Sequence, residues 1–416
     1  MRKCESEKVS TGAPRRLDDS EKGRSGEWEV YHINARLSTD AEDVGQMRIG
    51  KIWLVLRYCV GALGCRFRKG VKTFYYVPAS PGRAALYRDW LVMLCCRPFF
   101  RRRIFHWHAA GLLEWLERDA RAWERWLSHR LLGRPDLSIV LSEFNRGDGV
   151  SLRSRRVEVV PNGIPDPCPS FQRDVLPLRR ERLRLRMQNA ECRMQNEEGG
   201  LPNLTGANRG NRERKSQSPF SPVQNRQSPI ANCQTFRVLY VGLCFSEKGL
   251  FDAVEGVRLA NERSQGISIL LTVAGSFWRK DEQARFERLT GELRLKDGKP
   301  QIEYAGFVSG EVKDRLFREC DCLCFPTFYA TESFGLVVVE AMAYGMPVIT
   351  TNWRMIPELL PDGYAGLVAP KSPEQIAAKL VDAVRWNTFH DLRDHYLRHF
   401  TVEEFWRKMK AVLSSV

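Results

Sequence analysis

The 22 residues Ala330–Thr351, ATESFGLVVVEAMAYGMPVITT, constrain this chain more than any other stretch. They read as a polar loop, a short helix and a buried strand in immediate succession. Glu332 and Ser333 stand where a helix would begin, and Phe334, Val337, Val338, Ala341 and Met342 form an apolar stripe at helical spacing. Gly345 is placed to end that helix in a left-handed cap, and Pro347 prevents it from continuing. Val348–Thr350 then reads as a short buried strand.

Chemistry concentrates at the helix start. The first backbone N–H groups of a helix have no helical partner, and the macrodipole adds partial positive charge, so an anion binds there readily. Gly335 lets a phosphate approach the backbone. Glu332 and Glu340 are separated by seven residues. With the helix starting near Ser333, that spacing is about two turns and turns both carboxylates to one cleft. The alternative is a capped helix with two solvated glutamates.

The stretch TESFGLVVVEAMAYGMPVITT resembles the donor-site signature of the family 4 retaining glycosyltransferases of the GT-B fold, glycosyl transferases group 1. The resemblance implies an α/β architecture of two Rossmann-like domains facing a cleft. It assigns Glu332 to the donor sugar, Ser333, Phe334, Gly335 and Leu336 to the diphosphate, and Glu340 to the ribose. In FRVLYVGLCFSEKGL the family commonly offers an arginine just after the glycine and a lysine further on. Here Lys248 and Gly249 match, while Leu243 holds the arginine position. Gly306, Phe307 and Val308 resemble the segment that holds the nucleotide base. In FHWHAAGL, His108, with His106 second, resembles the family's histidine near the reacting sugar, and both histidines face one side of a strand. VEVVPNGIPDP resembles the end of the family's first domain and puts Asn162 and Gly163 at the cleft border. The family's opening strand and glycine-rich loop have no counterpart before Trp28–Ile33, the first credible strand.

The rest of the chain divides accordingly. Residues 1–26 are polar and aperiodic, and disorder is expected. Residues 27–171 alternate strands and helices as parallel βαβ units do, with one amphipathic helix over Trp115–Leu132. Residues 172–234 are arginine-rich and then rich in Asn, Ser, Pro and Gln, which predicts a disordered insertion with helix at most over Arg179–Met194. Residues 235–395 form the donor domain, and 396–416 a last helix that crosses back to the first domain if the resemblance holds.

With 416 residues there is room for two cores. A formal charge of +15 favours anionic partners. Arg97, Arg101, Arg102 and Arg103, beside Phe99 and Phe100, form a candidate contact for anionic lipid. Ile52–Cys65 is apolar but short and broken by Arg57, and reads as a buried helix. The opening MRKCESEKVSTGAPRRL is unlike a secretory signal, so reduced thiols and a cytoplasmic location, at the inner face of a membrane, are expected. No Asp-x-Asp motif or Cys/His spacing suggests a metal, and no cofactor beyond the donor substrate is implied. Three readings follow: a metal-independent retaining hexosyltransferase acting on a glycan or lipid-linked acceptor; an impaired homologue that binds nucleotide sugar; or a basic membrane-surface or nucleic-acid-binding protein, nucleic acid being the less favoured partner.

Overall fold

The computed structural model describes residues 29–33, 49–198, 235–264, 266–295 and 297–415. The chain divides into two units, residues 1–160 with 411–416, and residues 161–410.

In the first unit, β1 (Thr73–Tyr76), β2 (Arg102–His106), β3 (Leu137–Val140) and β4 (Val157–Val159) form a parallel sheet in that order. Helices α1 (Ile49–Arg68), α2 (Arg83–Cys96), α3 (Leu112–Arg118), α4 (Ala122–Leu131) and α5 (Arg146–Ser151) connect and cover it. Helices on a parallel sheet bury both faces of its central strands, so β2 and β3 carry consecutive apolar residues such as Ile104–Phe105 and Ile139–Val140. Met93, Phe105, Trp107, Leu116, Leu132 and Val140 form the main core, and Val55, Cys59, Ala62, Cys96 and Phe100 a smaller one under α1.

Four expectations change here. Residues 29–33 join no strand, and Trp28 lies outside the described residues. The helix expected over Trp115–Leu132 is two, because the chain turns at Asp119–Arg121 and Glu124 accepts the Arg121 backbone N–H at 2.7 Å to open α4. Arg97 and Arg103 turn inward: Arg97 donates to Leu131 O at 2.8 Å, and Arg103 to Arg134 O at 2.6 Å. Both meet backbone carbonyls at or just beyond the end of α4, where cations are favoured, and Phe100 is buried, so Arg101, Arg102 and Phe99 alone of that cluster stay exposed. Finally, α1 is buried on one face only. No helix among the described residues is long and apolar enough to cross a membrane.

The second unit holds α6 (Leu176–Glu198), β5 (Thr235–Val241), α7 (Leu250–Arg263), β6 (Ser268–Ala274), α8 (Lys280–Thr290), β7 (Ile302–Gly306), α9 (Gly310–Glu319), β8 (Cys322–Phe325), α10 (Leu336–Ala343), β9 (Val348–Thr351), β10 (Leu367–Val368), α11 (Pro373–Ala383), α12 (Phe389–His399) and α13 (Val402–Ser414). Its sheet is parallel throughout, in the order β10-β9-β8-β5-β6-β7. The chain leaves β5 in one direction through β6 and β7 and returns on the other side of β5 as β8. Ligands of such sheets bind beyond the carboxyl ends of the strands at that reversal, here between β5 and β8.

The disorder expected from residue 172 does not hold over residues 172–198. Residues 171–198 are helical, and α6 is fastened to the second unit by its arginines. Arg179, fully buried, donates to Phe317 O at 2.7 Å, Cys320 O at 2.9 Å and Tyr344 O at 3.0 Å, closing the carboxyl ends of α9 and α10. Arg182 and Arg186 reach Asp321 at 3.3 and 3.1 Å. Although burial opposes its charge, the Arg182 and Arg186 guanidiniums hold the Asp321 carboxyl below the usual range. Residues 199–234 lie outside the described residues.

The last helix expected within 396–416 is α13, and the boundary at 395 falls inside α12. Arg393 of α12 is buried, donating to Ala343 O at 2.6 Å and to Asp166 at 2.7 Å. Residues 411–416 group with the first unit, where Arg156 meets Ser415.

Candidate functional site

At the reversal between β5 and β8, two loops are tied together. Phe328 N–H of the β8–α10 loop donates to Glu247 O of the β5–α7 loop at 2.8 Å. Buried Tyr240 on β5 donates its hydroxyl to Leu243 O at 2.9 Å, and Lys248 O lies 3.3 Å from the same hydroxyl. Gly249 follows with φ +78, and its Cα lies so close to Pro326 that a Cβ would sit 2.1 Å from Pro326 O. Glycine is required there twice over, by backbone conformation and by space. Gly249→Ala should therefore lower the stability of the second unit by at least about 2 kcal/mol, read from its urea midpoint.

This stitching delivers Lys248 to Glu332. Lys248 Nζ lies 2.6 Å from Glu332 Oε2, and both side chains are largely buried. Thr327 Oγ1 also donates to that oxygen at 3.3 Å, and Nζ stands 5.0 Å from the Tyr329 ring centre. Glu332 is not on the helix, as its spacing from Glu340 suggests. Here α10 starts at Leu336 behind Gly335, which has φ +70, so Glu332 belongs to the preceding loop. Glu340, on the fifth residue of α10, pairs instead with Lys313 of α9 at 2.7 Å. Each glutamate of the motif thus has its own lysine. Within Ser333–Leu336, Phe334 is buried against Phe400, its ring centre 6.1 Å away, while Leu336 is 46% exposed. Gly345 has φ +56 and ends the turn as expected.

Gly306 closes β7 with φ +68, and Phe307 beside it is 76% exposed, with Val308 leading to α9. Leu243 is exposed and apolar. The β5–α7 loop does have a guanidinium beside it: Arg285 of α8 lies 3.4 Å from Ser246 Oγ and 4.0 Å above the Phe251 ring. Neither Arg285 nor Lys313 is marked by local sequence pattern. Asn162 and Gly163 lie in irregular chain after β4, in the second unit. Gly163 packs on Thr401, where a Cβ would meet Thr401 O at 2.3 Å, and Ile164 N–H donates to Phe400 O at 2.9 Å.

The two histidines belong to the first unit. His106 ends β2, almost fully buried, with its Nδ1 bonded to the Tyr75 hydroxyl. His108 is exposed, its ring centre 4.1 Å from that of His106. Burial, and to a smaller degree the charge of His108, lowers the His106 pKa to about 3, and burial raises that of Tyr75. The His106 imidazole is therefore neutral at neutral pH. In the unfolded chain a histidine takes up a proton near pH 6.5. Between pH 6.5 and about 3 the unfolded state binds more protons, so stability present above pH 6.5 is lost as pH falls. From pH 7 to pH 5 the loss from His106 is about 2 kcal/mol. His106→Gln should flatten that slope in urea unfolding measured at the two pH values.

Among the described residues no group of three or more His, Cys, Asp or Glu side chains is arranged to hold a metal ion. Cys59, Cys65, Cys95, Cys96, Cys168, Cys244, Cys320, Cys322 and Cys324 are free thiols.

Residues 224–394 match the family model described as "Glycosyl transferases group 1". Uncharacterized glycosyltransferase MJ1607 of Methanocaldococcus jannaschii is 28% identical over 40% of this chain and 38% of its own length. O-antigen chain mannosyltransferase B of Escherichia coli is 34% identical over 22% of this chain and 23% of its own. The chain thus spans little more than a third of the first of these and less of the second. Among solved structures, HepE of Anabaena in complex with UDP and glucose superposes with a TM-score of 0.57 at 16% identity, covering 89% of this chain and 84% of that one. Its fold, two parallel sheets in an α/β chain, is the GT-B fold. Residues 224–394 are thus similar to the glycosyl transferases group 1 family, within a chain of GT-B fold.

Proposed function

We propose that this protein is a retaining, metal-independent glycosyltransferase that moves a hexose from a nucleoside-diphosphate sugar to a glycan or lipid-linked acceptor. The observation that carries the reading is the Lys248–Glu332 pair at 2.6 Å, held at the strand-order reversal by two interlocked loops. In this reading Lys248 and the N–H groups opening α10 receive the diphosphate, and Glu332 accepts hydrogen bonds from the donor sugar. Glu340 takes the ribose hydroxyls, and Gly306–Val308 border the base. The bond between the anomeric carbon and the diphosphate oxygen breaks with its electron pair going to the phosphate. The acceptor hydroxyl oxygen takes its place and releases a proton. Cationic and dipolar groups fixed around the departing diphosphate lower that barrier. The mannosyltransferase of E. coli and the UDP and glucose bound to HepE support a hexose carried on a nucleoside diphosphate.

A second reading, a homologue that binds nucleotide sugar and transfers little, is favoured by Leu243, an exposed apolar side chain where related chains commonly have a cation. The deciding experiment is hydrolysis and binding across a panel of nucleotide sugars in the presence of chelator. Turnover of one donor supports the transferase and names its sugar. Tight donor binding without turnover, even with candidate acceptors, supports the second reading. No binding of any donor sinks both.

A further inference from the structure

Helix α1 is apolar on two faces. Val55, Cys59 and Ala62 pack into the first unit. On the opposite side Trp53, Val60 and Phe67, at seven-residue spacing, are 71%, 68% and 65% exposed. Phe99 extends this line, its ring centre 5.7 Å from that of Phe67, and Arg66 Nε fixes the junction by donating to Phe99 O at 2.6 Å. The row is about 21 Å long, from 1.5 Å of rise per residue. Scattered exposed hydrophobics are ordinary, whereas an aligned row this long marks an interaction surface.

Charge identifies what the row meets. Residues 49–113 contain twelve Lys and Arg and one acid, Asp89, so eleven of the chain's fifteen formal positive charges fall in this segment. Asp89 is buried and held by the Tyr76 hydroxyl at 2.7 Å and the Ala79 N–H at 2.9 Å. Arg57 shares the exposed side of α1, and Arg68, Arg101 and Arg102 are exposed near its end. An apolar row on a helix, flanked by exposed arginines, is the pattern of a helix lying in the plane of a lipid–water interface. Single-stranded nucleic acid asks instead for a charged groove with aromatic faces on which bases stack, and Val60 sits mid-row.

We propose that this face of α1 docks the first unit on an anionic lipid bilayer. The aromatic row enters the headgroup–acyl boundary, and Arg57, Arg68, Arg101 and Arg102 meet the phosphates. The proposal does not depend on the assignment of the second unit's site, and its test uses no donor and no turnover.

The test is flotation of the full chain with phosphatidylcholine vesicles, with and without phosphatidylglycerol, at low and high salt. Binding is expected only to the anionic vesicles and only at low salt. The paired variants Trp53→Ser/Phe67→Ser and Arg101→Glu/Arg102→Glu should each weaken it roughly tenfold. Leu289→Ser, which removes an exposed leucine from the second unit, should leave it unchanged. Circular dichroism of each variant checks that the fold is kept. Absence of binding to anionic vesicles at low salt would overturn the proposal, as would binding indifferent to both paired variants. Vesicle binding that survives while affinity for single-stranded RNA falls in the same variants would assign the face to nucleic acid instead.

Discussion

Glu332→Ala is expected to reduce donor turnover by about 10²–10³-fold while leaving affinity for the nucleoside diphosphate unchanged or several-fold tighter. The argument rests on where the charges sit before any ligand arrives. Lys248 is only slightly exposed and is already matched by Glu332 at 2.6 Å. A diphosphate that uses Lys248 competes with that carboxylate for the same ammonium. Removing Glu332 relieves the competition but also removes the acceptor proposed for the sugar, so binding and turnover move apart. Lys248→Ala should act oppositely, weakening nucleoside diphosphate binding about 10–100-fold, since a charge-assisted contact is lost and Glu332 faces the phosphates unpaired. Calorimetric binding of the diphosphate, beside hydrolysis of the intact donor, separates the two. Equal losses of binding in both variants would mean that the pair only braces the loops.

How much of this could be read from sequence differs by element. The strands at Val238–Val241 and Cys322–Phe325 are continuous apolar runs, which a sheet covered on both faces explains, and their positions follow from the sequence. Ala330–Thr351 marked the helix, its glycine cap and the following strand. It did not mark the helix start, because Gly335 at φ +70 serves as the boundary and Ser333 does not. The partners of Glu332 and Glu340 lie on other elements, Lys248 on the β5–α7 loop and Lys313 on α9. Such pairings are set by strand order, which spacing along the chain does not encode. Alternation puts His106 and His108 on one side of a strand, but β2 ends at His106 and His108 lies in a bend beyond it. The depth of His106 and its bond to Tyr75 depend on β1 pairing beside β2. The exposed row on α1 was hidden for a related reason: a helix apolar on two faces reads as buried, and only packing shows which face is covered.

Arg179→Leu should destabilise the second unit by about 3–5 kcal/mol, more than any other arginine change in α6. Composition made this segment look unstructured, since eleven residues from Leu176 to Arg186 include five arginines. The geometry explains the contrary outcome. A helix leaves its last carbonyls without backbone partners. The ends of α9 and α10 meet at one point, and Arg179 supplies three donors there, to Phe317 O, Cys320 O and Tyr344 O. Burial pulls its pKa down to about 9, which still leaves it charged at neutral pH, facing carbonyl dipoles of favourable sign. Leucine fills the space but strands three carbonyls. Lysine keeps the charge without the planar fork and should recover less than half of the loss. Arg180→Leu, one residue along and exposed, should stay within about 0.5 kcal/mol of the parent. Urea unfolding measures the differences, and limited proteolysis locates them: in Arg179→Leu, cleavage within residues 176–198 should precede cleavage of the sheet. If Arg179→Leu unfolds and is cut like the parent, α6 contributes nothing to the unit it lies on, and the whole of 172–234 acts as a linker after all.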